Sequence, residues 1–425
     1  MRVVLLSDTE TSGGAAVAAS RLATGLANAG IDVHRVVGRP DGAGHPWQTH
    51  RLDASLRDRQ TLQRMLWSAV SPARGEAVHQ SQWRENARRR LTMWLEELQP
   101  DVINLHNLHG ADWPVDLVAI CARFAPTVWT LHDQWSFTGR CAYAYDCRKF
   151  LTGCDAECPT PREYPALPPP QIRPAWEERR ALLDEVPALV AVAPSRWLQT
   201  EAAAGLWRGH RVEHIPYGLP LATFAPVERA LARDALGIPA TGPVLLVAAA
   251  NVNERRKGGD LLAAALAQLK VSPLTLVTLG RGHLALQLPG LNLVELGFLD
   301  HDRLKVLAYS AADLFVHPAP VDNLPNVILE ALACGTPCVG FPIGGVPDMV
   351  RPGVTGWLAD AVTAEALANA IGTALASIQS GRDWRESCRA VAIVGYDERQ
   401  QANRYLELFS ELTRARGANS DASVL

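Results

Sequence analysis

Short apolar runs alternate with helical stretches along this chain, and the alternation is completed twice. VVLLS (Val3–Ser7) passes through DTETSGG into AAVAASRLATGLANAG, a helical pattern stopped by Gly30, and VHRVV (Val33–Val37) follows. DVINLH (Asp101–His106), TVWTLH (Thr127–His132) and ALVAVAPS (Ala188–Ser195) extend the series. Strands apolar on both faces and separated by helices predict a parallel sheet. After the Pro- and Gly-punctuated HIPYGLPLATFAP (His214–Pro226) the pattern restarts. Its second set is PVLLVAAA (Pro243–Ala250), LTLVTLG (Leu274–Gly280), NLVELG (Asn292–Gly297), DLFVHPA (Asp313–Ala319) and PCVGF (Pro337–Phe341). The expectation is an α/β fold of two doubly wound parallel-sheet domains facing a cleft, residues 1–218 and 219–395. A last helix covers 396–413, and 414–425 is read as a disordered tail. Ligands of open α/β sheets bind beyond the carboxyl ends of the strands, so the loops there are the place to look for chemistry.

Composition narrows the function. A net charge of −3 over 425 residues removes any general electrostatic case for nucleic-acid binding. No apolar run approaches the ~18 residues of a membrane span. The opening MRVVLLS is too short for the apolar core of a signal peptide, so a cytoplasmic location is expected. Of the 41 basic residues only Lys149, Lys257, Lys270 and Lys305 are lysine, which draws attention to any lysine beside a strand end. Residues 39–94 hold ten arginines against five carboxylates, with Trp47, Trp67, Trp83 and Trp94 interleaved. That segment reads either as a solvated helical pair with inward-packed tryptophans or as a membrane- or acid-facing surface.

DNLPNVILE (Asp322–Glu330) is the most informative motif. Pro325 suits a helix start and Gly335 its end, with Asp322 or Asn323 as the cap. VILEALAC is apolar almost all round, so the helix should be buried. Glu330 is then a carboxylate in a dry setting, which demands a strong partner: a core arginine, or the hydroxyls of a ligand such as a ribose diol. The helix N-terminus favours anions, and Asp322 stands beside it where sugar hydroxyls can bind. Lys257, with Arg256 in NERRKGGD, follows the first strand of the second set, where a cation would meet a diphosphate; the alternative is an exposed basic loop. Gly13 and Gly14 lie between the first strand and helix. They would let backbone approach a phosphate, although the G-x-G-x-x-G spacing is missing. His132 and Asp133 end one strand of the first set, and His106, Asn107 and His109 end its neighbour. Histidines so placed can donate to a sugar hydroxyl or stabilise developing charge.

These residues carry a family resemblance. GG after the first strand, TLHD at 130–133, APSRW at 193–197, IPYG at 215–218, RKG at 256–258, D-x7-E running into EALACGTPCVGF, GGVPDMV at 344–350 and GVTGWL at 353–358 recur in that order. The chain resembles the retaining family 4 glycosyltransferases of GT-B fold, in particular the branch of exopolysaccharide and lipopolysaccharide clusters that includes colanic acid. The resemblance implies two Rossmann-like domains, the first binding the acceptor and the second the nucleotide-sugar, with the last helix crossing back to the first. It implies a UDP- or GDP-linked sugar donor and a glycan or lipid-linked acceptor, peripheral contact with the inner membrane, and no nucleic-acid partner. Glu330 would bind the ribose diol and Asp322 the donor sugar. Asn323, Leu324, Pro325 and Asn326 would line that sugar, and Lys257 and Arg256 would meet the diphosphate. Gly13 and Gly14 would approach the phosphates, and His132 would contact the donor. His106, Asn107, His109, Asp133 and Trp135 would lie on the acceptor side. Three positions depart from the family pattern: Asp322 and Asp348 stand where Glu is usual, and Asn251 where Arg is usual.

The resulting expectation is transfer of a sugar with retention, without a catalytic cofactor, in cell-surface polysaccharide synthesis. The alternatives are another GT-B enzyme acting on a small soluble acceptor, and a non-catalytic two-lobed sugar-binding protein, which would need an export signal. Apart from this stand Cys141, Cys147, Cys154 and Cys158, four thiols within eighteen residues. They read either as a structural zinc site or as free or redox-linked cysteines.

Overall fold

A computed structural model describes residues 1–52 and 72–422. The chain divides into two compact units. The first comprises Met1–Ala193, Leu198–Ile215 and Ala402–Leu425, and the second Pro194–Trp197 and Pro216–Gln401.

The first unit is built on seven parallel strands, in the order β3-β2-β1-β4-β5-β6-β7. They are β1 (Arg2–Thr9), β2 (Asp32–Arg39), β3 (Gln48–Arg51), β4 (Val102–Leu105), β5 (Thr127–Thr130), β6 (Val190–Ala193) and β7 (Val212–His214). Val3 pairs with Val33 on one side and Val102 on the other, so the chain reverses its winding at β1. The apolar strand residues Val3, Leu5, Val128 and Val192 bury one sheet face against Leu22 and Leu26 of the first helix and Tyr405 and Phe409 of the last.

The second unit repeats the plan with six parallel strands, β10-β9-β8-β11-β12-β13. These are β8 (Val244–Asn251), β9 (Leu274–Arg281), β10 (Leu291–Glu295), β11 (Leu314–His317), β12 (Cys338–Gly340) and β13 (Gly356–Leu358). Relative to its own first strand the order is 3-2-1-4-5-6, the doubly wound arrangement, with the switch point between β8 and β11. Leu245, Leu276, Leu314 and Val339 pack there against helices 259–266 and 364–379 through Leu262, Leu367 and Ile371.

Every strand expected from an apolar run is present. The short edge strands β3, β7 and β13 were not expected, because QTHR and VEH are brief and polar and GWL is only three residues long. One expectation is corrected: residues 414–422 are not a disordered tail but continue the helix Glu398–Ala422. This stretch contains no proline, and Arg416 donates to the Arg123 carbonyl at 3.0 Å.

The basic segment 39–94 is described only in part, and Trp67 lies outside the described residues. The other three tryptophans turn inward. The indole N–H of Trp47 donates to Glu10 at 3.0 Å, that of Trp83 to the Ala111 carbonyl and that of Trp94 to the Arg51 carbonyl, both at 3.3 Å. Arg84, Arg88 and Arg89 each face a carboxylate. Among the described residues no helix is long and apolar enough to cross a membrane.

A buried ion cluster ties the second unit together. Asp313, at the start of β11, accepts from Arg233 at 2.8 Å, from the Val244 backbone N–H at 2.8 Å, and pairs with Arg229 at 2.9 Å. Removing one partner of such a buried pair strands the other. Asp313→Ala should therefore cost about 3–5 kcal/mol of unfolding free energy, read from urea titration. A loss below about 1 kcal/mol, the scale of an exposed pair, would contradict this role.

Candidate functional site

The polar residues of the second unit gather on the loops that leave β8 and β11, the two strands at its switch point. After β8 the chain makes a short 3-10 turn, Arg255–Lys257, and reverses at Gly258. Gly258 has φ +74°, and a Cβ there would stand 1.9 Å from the Pro318 carbonyl oxygen. Only glycine permits that approach, and it brings Lys257 against the loop after β11. The Lys257 Nζ donates to Asp322 Oδ2 at 2.8 Å, and Arg256 Nη1 stands 3.7 Å from the same oxygen. Asp322 is buried. Burial alone would raise its pKa, yet Lys257, Arg256 and His317 hold the carboxyl well below the usual range. His317, the last residue of β11, is pushed down to about 4 by burial, against the pull of Asp322. Its Nε2, 3.6 Å from Asp322, has no hydrogen-bond partner.

The backbone after Asp322 is clamped. Asp322 Oδ1 accepts from the Asn323 N–H at 3.0 Å, Asn323 Oδ1 from the Ser195 hydroxyl at 2.6 Å, and the Asn323 carbonyl from the Gly345 N–H at 2.6 Å. A Cβ on Gly344 would meet the Asp322 carbonyl oxygen at 1.8 Å. Neither Asp322 nor Asn323 caps the helix that follows. The cap is Pro325, without a side-chain bond, and the helix runs Asn326–Ala333. Asp322 and Asn323 are engaged elsewhere, which leaves the helix start to backbone groups alone. Leu324 is buried beneath this turn, with Asn326 at its edge. One turn further in, Glu330 is 5% exposed and accepts from the Tyr309 hydroxyl at 2.8 Å. The two expected donor-binding groups at 257 and 322 thus lie against each other, with Glu330 in the helix that follows.

In the first unit the loops after β1, β4 and β5 form a second cluster. His106 and His132 are buried, with His106 Nδ1 and His132 Nε2 2.9 Å apart. Burial drives His106 well below its ordinary pKa and His132 down to about 3, so both rings are neutral and one nitrogen of the pair carries the shared proton. His109 stands 3.4 Å from Asp133 and stacks on Trp135, ring centroids 5.2 Å apart. Asp133 also accepts from the Trp135 N–H at 2.9 Å. The Asn107 carbonyl accepts from the Asp8 N–H at 2.9 Å. Asp8 was not singled out from sequence. Burial raises its pKa against the opposing effect of His109, with Asp133 adding to the rise. A carboxylate at a strand end carries no signature by itself, so no pattern marked it. Gly13 has φ +95° with open space where a Cβ would be, and caps the helix that begins at Gly14.

Among the described residues one trio, Glu10, Asp41 and His45, brings potential ligand atoms within 4.8 Å of one another. The trio is closed on itself. His45 contacts Asp41 at 2.9 Å, and Glu10 accepts from Trp47, from Thr49 and from the Asp41 N–H. Its lone pairs are already used, and it serves as a hydrogen-bond cluster.

Two doubly wound parallel sheets, each with its polar residues on the loops past the switch point, define the GT-B class. Solved structures agree on the fold. Sucrose-phosphate synthase from Thermosynechococcus elongatus superimposes with a TM-score of 0.72 at 21% identity, over 97% of this chain and 99% of that one. Anabaena HepE, solved in complex with UDP-glucose, gives 0.66 at 19% identity over 97% and 100%. Residues 12–223 match the family model described as Glycosyltransferase Family 4, and residues 242–377 match Glycosyl transferases group 1. The chain belongs to the family 4 glycosyltransferases. Among curated relatives, the glycosyl transferase WcaC of Escherichia coli (strain K12), named for colanic acid biosynthesis, is 29% identical over 251 residues. That match takes in 56% of this chain and 59% of the relative's own length.

The neutral histidines make an acid-lability prediction. His132 and His317 fall from 6.5 to about 3 and about 4, so below pH 6.5 the unfolded chain binds more protons than the folded one. Their contribution is present above the unfolded value and lost as pH falls, each by about 1.4 kcal/mol per pH unit until the folded pKa is reached. Urea titrations from about pH 7 to 4.5 should show this slope, and His317→Asn should shed one proton from it. A flat profile between about pH 7 and 5 would contradict neutral burial.

Proposed function

We propose that this protein transfers a sugar, with retention at the anomeric carbon, from a nucleotide-sugar to a glycan or lipid-linked acceptor in cell-surface polysaccharide synthesis, at the cytoplasmic face of the membrane. The observation that carries the reading is the grouping of Lys257, Arg256 and Asp322 at the β8–β11 switch point, with buried Glu330 in the helix that follows. A departing nucleoside diphosphate accumulates negative charge, and preorganised cations lower the barrier without rearranging as the bond breaks. Lys257 and Arg256 are such cations. Asp322 fixes them by ion pairing through Oδ2. Glu330 is suited to accept from a diol, a role that HepE's UDP-glucose complex makes chemically apt.

In the first unit, the neutral His106–His132 pair can donate or accept without carrying net charge, which suits contact with hydroxyls. His109, Asp133 and Trp135 offer a ring face and a carboxylate, the chemistry of a sugar-binding surface. The role of WcaC's pathway supports an acceptor that is a growing surface glycan. No metal is assigned to the transfer step, since cationic side chains meet the developing charge.

Lys257→Ala and Glu330→Ala should each lower turnover about a hundredfold, equivalent to about 2.7 kcal/mol in the barrier, with the circular dichroism spectrum unchanged. The assay is donor consumption against a panel of UDP- and GDP-sugars with lipid-linked and soluble glycan acceptors. Wild-type rates in both variants would overturn the site, and an inverted product anomer would overturn retention.

A further inference from the structure

Beyond the loop that carries Trp135, the first unit holds a second concentration of reactive side chains. Cys141, Cys147, Cys154 and Cys158 line one small cavity together with Arg140, Lys149 and Phe150. All four are free thiols; Cys141 and Cys154 are buried and the other two half-buried. The loop is wound tightly around them. The Gly139 N–H donates to Cys154 Sγ at 3.1 Å, and a Cβ on Gly139 would meet the Cys154 Cβ at 2.6 Å. At the rim, Lys149 bridges Asp155 at 2.7 Å and Glu157 at 3.1 Å.

Charge gives the independent observation. Arg140 and Arg179 are 2% and 5% exposed, and a guanidinium stays protonated even there. Arg140 donates to the carbonyls of Glu163 and Pro165, to the Thr160 hydroxyl at 2.9 Å and to Cys141 Sγ at 3.4 Å. Arg179 donates to the carbonyls of Gly139 and Ala175 and lies 4.0 Å over the Trp135 ring. Neither forms an ion pair with a carboxylate among the described residues. Two buried positive charges therefore flank four thiols: Glu178 and Asp133 act on Arg179 only from beyond ion-pair distance, and a buried charge without a close counter-charge is disfavoured.

We propose that Cys141, Cys147, Cys154 and Cys158 bind one zinc ion as a tetrathiolate, whose double negative charge is balanced by Arg140 and Arg179. The step conserves charge and atoms. Four thiols and one divalent ion give a complex of charge −2 and four released protons, and the two guanidiniums bring the buried cluster to neutrality. No three of the sulfurs stand mutually within 4.8 Å, so binding swings the thiols inward to tetrahedral spacing. The zinc is structural, since all four ligands come from protein. Its effect reaches the histidine cluster through contacts already described: Gly139 donates to Cys154 and accepts from Arg179, Arg179 lies on Trp135, and Trp135 stacks on His109.

The test is metal analysis of the full chain, purified under reducing conditions without a metal-affinity step, from zinc-replete cells. The expected result is about one zinc per chain, released by a mercurial reagent. Substitution with cobalt should give the thiolate-to-cobalt charge-transfer absorption of a tetrahedral site. In Cys147→Ser/Cys158→Ser, which alters only the half-buried positions, zinc should fall at least tenfold. Arg140→Met and Arg179→Met should lose zinc to a chelator at least tenfold faster than wild type while keeping four cysteines. Zinc below about 0.2 per chain in the wild type, or cysteines recovered as disulfides after alkylation under denaturing conditions, would overturn the proposal. These readouts do not involve sugar transfer, so their failure leaves the proposed activity standing, and failure of that activity leaves the metal site standing.

Discussion

The reversal of winding at β1 and again at β8 is the constraint on which the rest depends. Strands on either side of a switch point lead their connections in opposite directions, so the loops beyond them part and leave room above the sheet edge. There a charged group can be brought close to apolar strands without being covered by a crossover helix. Lys257 leaves β8 and Asp322 leaves β11, the two strands that flank that point in the second unit. Their 2.8 Å contact joins residues sixty-five positions apart in sequence through nothing but strand order. His106 and His132 meet at the ends of the neighbouring strands β4 and β5, on one side of the first unit's switch point between β1 and β4.

Much of this was legible in the chain. Buried parallel strands are apolar on both faces, so runs such as PVLLVAAA identify themselves without a partner. The edge strands QTHR and VEH do not, since an edge position removes the burial that would make them apolar, and GWL is apolar but only three residues long. The motif residues at 257, 322 and 330 could be read as a group because glycine and proline punctuated the helix and loop around them. Their mutual contacts could not. Spacing along the chain says nothing of which oxygen Lys257 faces, and it led to the expectation of a helix cap at Asp322 or Asn323 that the clamp from Ser195 and Gly345 replaces. Asp8, Tyr309 and His317 acquire meaning only through neighbours distant in sequence. The helical run through 414–422 was missed because a polar composition is compatible with either state.

Burial and charge divide the two clusters into different kinds of chemistry. In the second unit a buried carboxylate keeps its charge because two cations and an imidazole surround it. In the first, two imidazoles surrender theirs because nothing nearby repays the loss of water. A cation-rich site is suited to a leaving group that becomes more negative, and a neutral one to hydroxyls that gain and lose hydrogen bonds without net charge. Arg35 shows the structural counterpart. It is fully buried and its two terminal nitrogens donate to the Glu10 carbonyl and the hydroxyls of Ser7 and Ser20, which fixes β2 against the loop that ends in Gly13.

The placement of Tyr405 and Phe409 within the sheet core of the first unit bears on how the chain is made. Tyr405 is fully buried, and its hydroxyl shares a 2.8 Å hydrogen bond with Thr130. During synthesis the ribosome releases every strand of that sheet some two hundred residues before it releases these aromatic rings. Until then that apolar face is covered only in part, by Leu22 and Leu26 of the first helix, and the later unit has the sequence it needs to mature before the earlier one does. The usual amino-to-carboxyl order of domain completion is inverted here, since the sequence of the first unit is complete only once its last helix has been made.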